Sequence, residues 1–192
     1  KPDTNTDRLN YGEILLPPVG YQLVKAVGTT YSLDLEALIS ISVSLGLLET
    51  TDRKISNNPV VLLNAFQKVS DKIMIFCEDG QIKLPNKPSP LSIILEKMIV
   101  PVALPKKNGF TPSFHAKTWM LEYGNEKNDK IYRFVVLSRN LTFDHSWDVS
   151  FSMDGVISKE PDESTKPIVD FLDFLKKNIG SNLSNYENKC KF

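Results

Sequence analysis

Four polar side chains at the ends of two apolar stretches are the residues of this chain best suited to chemistry. His115 and Lys117 open one stretch, and Ser138 and Asn140 close the next. Side chains two apart on a strand share a face, so each pair points one way while its strand stays extended. The polar segment 123–130 between the stretches is typical of a hairpin loop. A hairpin predicts that the four side chains converge.

This set contains an imidazole, an ammonium, an amide and a hydroxyl but no carboxylate, which favours an anionic phosphate over a metal. The imidazole of His115 can attack phosphorus as a nucleophile. The ammonium of Lys117 and the amide of Asn140 can hold the non-bridging oxygens as charge builds on them. We therefore expect no metal and no other cofactor. A half-buried strand histidine beside an extended lysine explains His115-x-Lys117 alone equally well, and the Ser138-x-Asn140 element shifts the balance towards phosphate chemistry.

The elements that must position these residues alternate between helix and strand in the first half, and strands with short connections follow. This order predicts an α/β fold, a mixed β-sheet flanked by helices on both faces. Ser32 or Asp34 is expected to cap the first long helix. The expected strands are 22–28, 72–77, 99–104, 113–122, 131–137 and 147–153, and the expected helices are 34–47, 59–69, 89–98 and 166–177.

Length and composition are those of one globular domain. The chain has 192 residues, 41% of them apolar and 24% charged, which predicts a single domain over 1–192 with a loose polar arm at 1–10. The formal net charge is zero, so a polyanion must be met by a local basic surface. Cys77 lies in an apolar run and is expected to be a buried small hydrophobe rather than half of a disulfide with Cys190.

No apolar stretch approaches the length of a transmembrane segment, because 93–104 is interrupted by Glu96, Lys97 and Pro101. We therefore expect no transmembrane segment and a cytoplasmic location. The sequence begins at Lys1 without a methionine, which leaves open a removed signal peptide or an upstream segment.

Three further residues are candidates for supporting roles. His145 follows the Ser-x-Asn element and could protonate a leaving oxygen, although an exposed loop histidine is the commoner explanation. Asp148 and Glu122 compete for the role of orienting His115 by accepting a hydrogen bond from its ring. Each carboxylate is equally well explained as a solvated surface group.

Candidate substrate contacts lie beside these residues. Thr29, Thr30 and Tyr31 stand at the end of the first strand, where open α/β sheets bind ligands. A plain turn from strand to helix would need the same residue types. Arg139 lies between Ser138 and Asn140, so alternation directs it away from them, towards a further phosphate at the rim.

The motif resembles the His-Lys motif of the phospholipase D superfamily. The resemblance covers 115–142: His115-x-Lys117, an acid five positions later at Glu122, a strand, and Ser138-x-Asn140 followed by Leu141 and Thr142. Segment 27–32 also resembles the first strand and turn of bacterial members. The family usually has Asp at the position of Glu122. In the family this acid organises the strand. The resemblance implies a phospholipase D-like fold.

Members of this superfamily include phospholipases, phosphatidyl transferases, metal-independent nucleases, some restriction endonucleases and tyrosyl-DNA phosphodiesterases. The resemblance implies that His115 attacks phosphorus to form a phosphohistidine, while Lys117 and Asn140 neutralise the oxygens and Ser138 assists. A second histidine would protonate the leaving group, and water would release the product. Members usually pair two His-Lys motifs, so we expect either a homodimer or a second motif in a longer protein of which this chain is one half.

We expect a nuclease acting on DNA or RNA, because the sequence has no evident membrane-docking helix rich in Lys and Arg. Two alternatives remain open. One is a phospholipid phosphodiesterase, and the other is a non-catalytic module that binds phosphate or nucleic acid and lacks a partner histidine.

Overall fold

The computed structural model describes residues 11–48, 59–85, 91–143, 148–158 and 163–179. Its strands are β1 (Gln22–Thr30), β2 (Leu33–Asp34), β3 (Ile73–Glu78), β4 (Ile82–Lys83), β5 (Ile99–Val102), β6 (Thr118–Gly124), β7 (Lys130–Leu137) and β8 (Ser150–Gly155). Its helices are α1 (Tyr11–Ile14), α2 (Leu35–Leu48), α3 (Pro59–Ser70), α4 (Leu91–Glu96) and α5 (Lys166–Lys177), with a 3-10 turn at Glu163–Thr165 before α5.

A six-stranded mixed sheet forms the centre, in the order β5-β3-β1-β6-β7-β8. The strands β1, β3 and β5 run parallel, whereas β6, β7 and β8 each run antiparallel to the preceding strand in that order. The carboxyl ends of β1, β3 and β7 therefore meet the amino ends of β6 and β8 at one edge of the sheet. We call this the site edge. The short strands β2 and β4 pair in parallel beside it.

Helices cover both faces of the sheet, as predicted. Alternate residues of β3 point into two different cores, Ile73 and Ile75 to one side and Met74 and Phe76 to the other. Residues of α2, α3 and α4 fill the first core, whereas Leu175 of α5 lies in the second. The predicted α/β class is thus confirmed, and its physical origin is the burial of apolar side chains on both faces of the parallel strands.

Close packing at the centre of the sheet requires a glycine in β1. A Cβ atom on Gly28 would lie 2.7 Å from Cδ1 of Ile75 and 3.1 Å from the indole of Trp119. Trp119 is 1% exposed. The missing side chain at Gly28 gives the indole room to pack over the central strand.

Most predicted elements are found, with differences at their ends. The predicted helix 166–177 is α5, and Asp34 caps α2 as expected, since its Oδ1 accepts a hydrogen bond from the backbone N–H of Glu36 at 3.0 Å. The strand predicted from 113 begins only at Thr118. The reason is that the N–H of Phe114 donates to the carboxylate of Glu78 rather than to a neighbouring strand.

The boundaries of other helices and strands differ from the predicted ones by a few residues, because the ends of elements fray and carry little sequence signal. Strand β5 ends at Val102, and α4 spans only Leu91–Glu96. Cys77 is buried as a free thiol, as predicted. The predicted arm 1–10, residues 89, 90 and 147, and Cys190 lie outside the described residues. None of the described helices has both the length and the apolar character needed to cross a bilayer.

Candidate functional site

The segment 114–117 enters β6 at the site edge and keeps the alternation of an extended chain. Phe114 is buried in the core beneath α5, and Ala116 packs partly against the same core. His115 and Lys117 consequently point to the opposite face, as predicted. The hairpin pairing continues past the strand, because the N–H of Leu137 donates to the carbonyl of Lys117 at 2.9 Å.

The ammonium of Lys117 lies against the imidazole of His115. Its Nζ is 3.0 Å from Nδ1 and 3.1 Å from Nε2 of His115, and it donates to the carbonyl of His115 at 3.2 Å. One atom at nearly equal distances from both ring nitrogens cannot lie along both in-plane lone pairs, so the ammonium approaches from above the ring. The contact therefore does not involve the in-plane lone pair or N–H of either ring nitrogen.

Burial differs between the two side chains. His115 is exposed, whereas Lys117 is only 9% exposed. Removal of the ammonium from water lowers the pKa of Lys117 below its ordinary value. A desolvated cation beside an exposed imidazole is an environment that an anion would stabilise.

Among the three candidate contacts at the end of β1, Tyr31 lies against His115. The two ring centroids are 5.2 Å apart with an interplanar angle of 46°. Thr29 and Thr30 are 3% and 1% exposed. The hydroxyl of Thr29 accepts from the N–H of Thr118 at 2.9 Å, which ties β1 to β6. The hydroxyls of Thr29 and Thr30 are thus bound inside the fold, and the substrate contact predicted for them stays a prediction.

Asn140 is held with its amide in a defined orientation. Its Oδ1 accepts from the backbone N–H of Ser32 at 3.4 Å. A backbone N–H can only donate, so the amide oxygen must face it, and the two N–H donors of Asn140 point to the other side. The side chain of Asn140 thus contacts the turn that follows β1. Tyr31 belongs to the same turn, and its ring contacts His115.

The turn after β7 crosses the site edge towards β1. The N–H of Leu141 donates to Oγ1 of Thr30 at 2.9 Å, and the carbonyl of Leu141 accepts from Asp34 at 2.9 Å. Thr30 also donates to the carbonyl of Ser32 at 2.8 Å. These bonds fix the Ser-x-Asn turn, which follows β7, against the end of β1. The two strands are separated by β6 in the sheet.

Ser138 and Asn140 do not share a face, contrary to the prediction from strand alternation, because they are bound on different sides. Its hydroxyl accepts from the N–H of Val149 at 2.9 Å and lies 3.5 Å from Oδ1 of Asp148. The chain bends after Leu137, so alternation no longer relates Ser138 to Asn140. Ser138 is bound on the β8 side, whereas Asn140 is bound on the β1 side.

Arg139 and Asp148 form an ion pair behind this turn. The Nη1 atom of Arg139 is 2.8 Å from Oδ2 of Asp148, and Nη2 donates to the carbonyl of Thr142 at 2.9 Å. The Asp148 side chain is 6% exposed. These described contacts hold the turn, and the predicted roles of Asp148 in orienting His115 and of Arg139 in meeting a phosphate stay predictions.

Glu122 lies far from His115 along β6. Glu122 is five positions from Lys117, which is about 16 Å of strand, and it faces the other side of the sheet. Its Oε1 is 2.6 Å from Nζ of Lys130 across the hairpin. At this distance Glu122 does not reach the His115 ring, and its described contact joins the two strands of the hairpin.

Glu78 and Ser32 are part of the site edge and were not predicted as site residues. Glu78 ends β3, and its Oε2 accepts from the N–H of Phe114 at 2.6 Å. The signal available for Glu78 was its place at the carboxyl end of a buried strand. Ser32 acts through its backbone, for which side-chain type carries no signal.

His145 lies outside the described residues, so its predicted role as an acid stays a prediction. Within the parts of the chain that the structure describes, no group of three His, Cys, Asp or Glu side chains is arranged to hold a metal ion.

Comparison with known proteins gave no match: no family model, no curated protein and no solved structure is significantly similar to the chain. The resemblance to the phospholipase D superfamily accordingly stands on the motif alone.

Proposed function

We propose that the chain is a metal-independent phosphodiesterase of phospholipase D-like type that acts on DNA or RNA. The observation that carries this proposal is the contact of the exposed His115 imidazole with the ammonium of the largely buried residue Lys117 at 3.0 Å. A nucleophile open to a large substrate and a desolvated cation beside it are the two groups that attack on a phosphodiester needs.

In the proposed reaction a ring nitrogen of His115 forms a bond to phosphorus, and the bond from phosphorus to the leaving oxygen breaks. Lys117 and the amide N–H groups of Asn140 stabilise the charge on the non-bridging oxygens. An acid gives its proton to the leaving oxygen. Water then attacks the phosphohistidine, which releases the phosphate product and restores the imidazole.

The lowered pKa of Lys117 supports an anionic ligand. Burial disfavours the charged ammonium, and a phosphate placed beside it favours the charged form. Binding a phosphodiester therefore recovers electrostatic free energy that the empty site lacks. The same argument does not require a metal, because fixed donors supply the positive charge.

Nucleic acid is preferred over a lipid surface because of α5. This helix is the amphipathic one predicted at 166–177, and its apolar residues pack against the sheet, with Leu175 only 1% exposed. An apolar helix face that is already buried cannot insert into a bilayer.

The acid for the leaving group is proposed to come from a second His-Lys site. A homodimer would bring two copies of His115 together, and a longer protein could supply a second motif in its other half. Either arrangement would create one composite site between two units.

The test is hydrolysis in excess chelator. We expect purified protein to cleave bis(4-nitrophenyl) phosphate and single-stranded or double-stranded oligonucleotides in EDTA, and to accumulate an acid-labile phosphohistidine after rapid quenching. Vesicles of phosphatidylcholine serve as the lipid substrate. Cleavage that needs added magnesium would contradict the mechanism, and faster turnover of vesicles than of oligonucleotides would contradict the substrate.

A further inference from the structure

Glu78 joins the two segments that flank the His115 ring. It is the last residue of β3 and stands at the site edge, partly buried. Its Oε2 accepts from the N–H of Phe114 at 2.6 Å, and its own N–H donates to the carbonyl of Tyr31 at 3.3 Å. One residue therefore contacts the peptide before His115 and the backbone of the residue whose ring touches His115.

The bond to Phe114 is of the strong kind. A carboxylate that accepts from a backbone N–H forms a charge-assisted hydrogen bond, which is shorter and stronger than a bond between neutral groups. Phe114 precedes β6, so the sheet ladder does not fix it there. The Glu78 carboxylate takes the place of a strand partner at this position.

Phe114 is held on its other side as well. Its ring is 3% exposed and lies 6.3 Å, centroid to centroid, from the ring of Phe174 in α5. With its N–H bound to Glu78 and its ring packed in the core, Phe114 has little freedom to rotate. The backbone of His115 starts from this fixed point.

We propose that Glu78 is a positioning residue that holds the His115 imidazole in line for attack on phosphorus. This inference rests on the proposed phosphodiesterase function. Glu78 acts through the peptide of Phe114 and does not contact the substrate. Its required property is an acceptor oxygen directed at the N–H of Phe114; the negative charge strengthens that bond, but a neutral acceptor in the same place is sufficient for positioning. A nucleophile displaced by about 1 Å can lose about 100-fold in rate.

Three variants separate the acceptor from the charge. Glu78→Ala removes both, Glu78→Gln keeps an acceptor oxygen, and Asp79→Ala removes a neighbouring exposed charge at the same edge as the matched control. We expect Glu78→Ala to lower kcat for bis(4-nitrophenyl) phosphate by about 10-fold to 100-fold with a smaller change in KM. Glu78→Gln should keep kcat within about 3-fold of the wild type, as should Asp79→Ala.

A second measurement does not depend on turnover. In long-range proton–nitrogen spectra the ring signals of His115 are assigned by their loss in His115→Ala. We expect one sharp set in the wild type, Glu78→Gln and Asp79→Ala, and a shifted or split set in Glu78→Ala because the ring samples several orientations.

The outcomes distinguish the two proposals. A wild type without hydrolysis would overturn the phosphodiesterase, while a changed His115 signal confined to Glu78→Ala would still support positioning. An active wild type whose kcat and His115 signal are unchanged in Glu78→Ala would overturn positioning alone. Equal losses in Glu78→Ala and Glu78→Gln would also overturn it, because the charge and not the acceptor would then matter.

Discussion

The ring of Phe114 stacks on the ring of Phe174 with their centroids 6.3 Å apart and their planes inclined by 27°. This pair connects α5, on one face of the sheet, to the residue that precedes His115 on the other. Because neighbouring residues of an extended chain point to opposite faces, the depth at which Phe114 is seated sets the position of His115.

Truncation of Phe174 should therefore affect both stability and turnover. Phe174→Ala leaves a gap beside Phe114 and Phe171, and we expect the free energy of unfolding to fall by about 1–3 kcal/mol. Urea denaturation measures this change. Val169→Ala on the same helix, at a side chain that is 51% exposed, is the control and should lose much less. Full turnover in Phe174→Ala would show that α5 does not position the site.

Removal of the proposed nucleophile should abolish turnover without unfolding the protein. His115 is exposed, so His115→Ala should change stability by no more than about 0.5 kcal/mol. We expect hydrolysis to fall by about 1,000-fold or more. Initial rates in chelator and a thermal melt of the same sample measure both. Activity within a few-fold of the wild type would remove His115 from the mechanism.

The pH profile should report Lys117. Burial lowers the pKa of its ammonium, so the charge is lost at a lower pH than for an ordinary lysine, and activity that needs the charge falls there. We expect kcat/KM to fall on the alkaline side of its pH profile, with a midpoint below about pH 10.4, which is the ordinary pKa of lysine.

Two variants assign this alkaline limb. Tyr31→Phe removes the tyrosine beside His115 and should retain the limb, whereas Lys117→Met should lose activity at every pH. A midpoint of the alkaline fall at or above the ordinary pKa of lysine would contradict the assignment to Lys117. So would an alkaline fall that disappears in Tyr31→Phe.

The ion pair between Arg139 and Asp148 should support the site through Asn140. Asp148→Asn leaves the partly buried Arg139 guanidinium without a full counter-charge, at a cost of about 1–3 kcal/mol in unfolding free energy. We also expect kcat to fall, because the turn that carries Asn140 loosens.

The matched control lies at the far end of the same strand pair. Asp154 binds Arg133 at 2.6 Å and is 42% exposed. Asp154→Asn should leave kcat unchanged when measured beside Asp148→Asn. Equal effects of the two substitutions on kcat would show that the ion pairs act only through general stability.

Assembly can be tested by mixing chains. If the active form of this chain is a dimer with one composite site, equal amounts of wild type and His115→Ala should form mixed dimers that lack full activity. The specific activity should then fall below half of the wild-type value after subunit exchange. Sedimentation at the assay concentration measures the dimer. An active monomer at high dilution would refute the composite site and make His145 the candidate acid.

The sequence predicted the shared face of His115 and Lys117 because alternation needs only an extended chain, which 114–117 keeps even before β6 begins. It failed for Ser138 because the chain bends after Leu137, where Val149 binds Ser138 and Leu141 binds Thr30, a residue 111 positions away in the sequence. It did not predict that the hydroxyl of Thr29 is bound by a neighbouring strand.

Glu78 shows a different limit of prediction from sequence. Its carboxylate meets Phe114 across 36 positions of the chain, and no local pattern specifies that contact. Strand order was needed first, because β3 and β6 stand on opposite sides of β1. Fold class follows from hydrophobic patterning, whereas contacts between loops at one edge depend on the order of the strands.

The central place of β1 has a consequence for how the protein folds. The bond between the hydroxyls of Thr29 and Thr118 joins residues 89 positions apart, and the bond from Leu141 to Thr30 spans 111. Before residues this distant in sequence can pair, the chain must lose the conformational entropy of closing a long loop. No favourable contact has yet formed to offset that loss, so folding is slow. His115 and Lys117 can therefore acquire their native surroundings only when the end of β1 meets β6 and the turn after β7, and a refolding chain will regain its helices before its site.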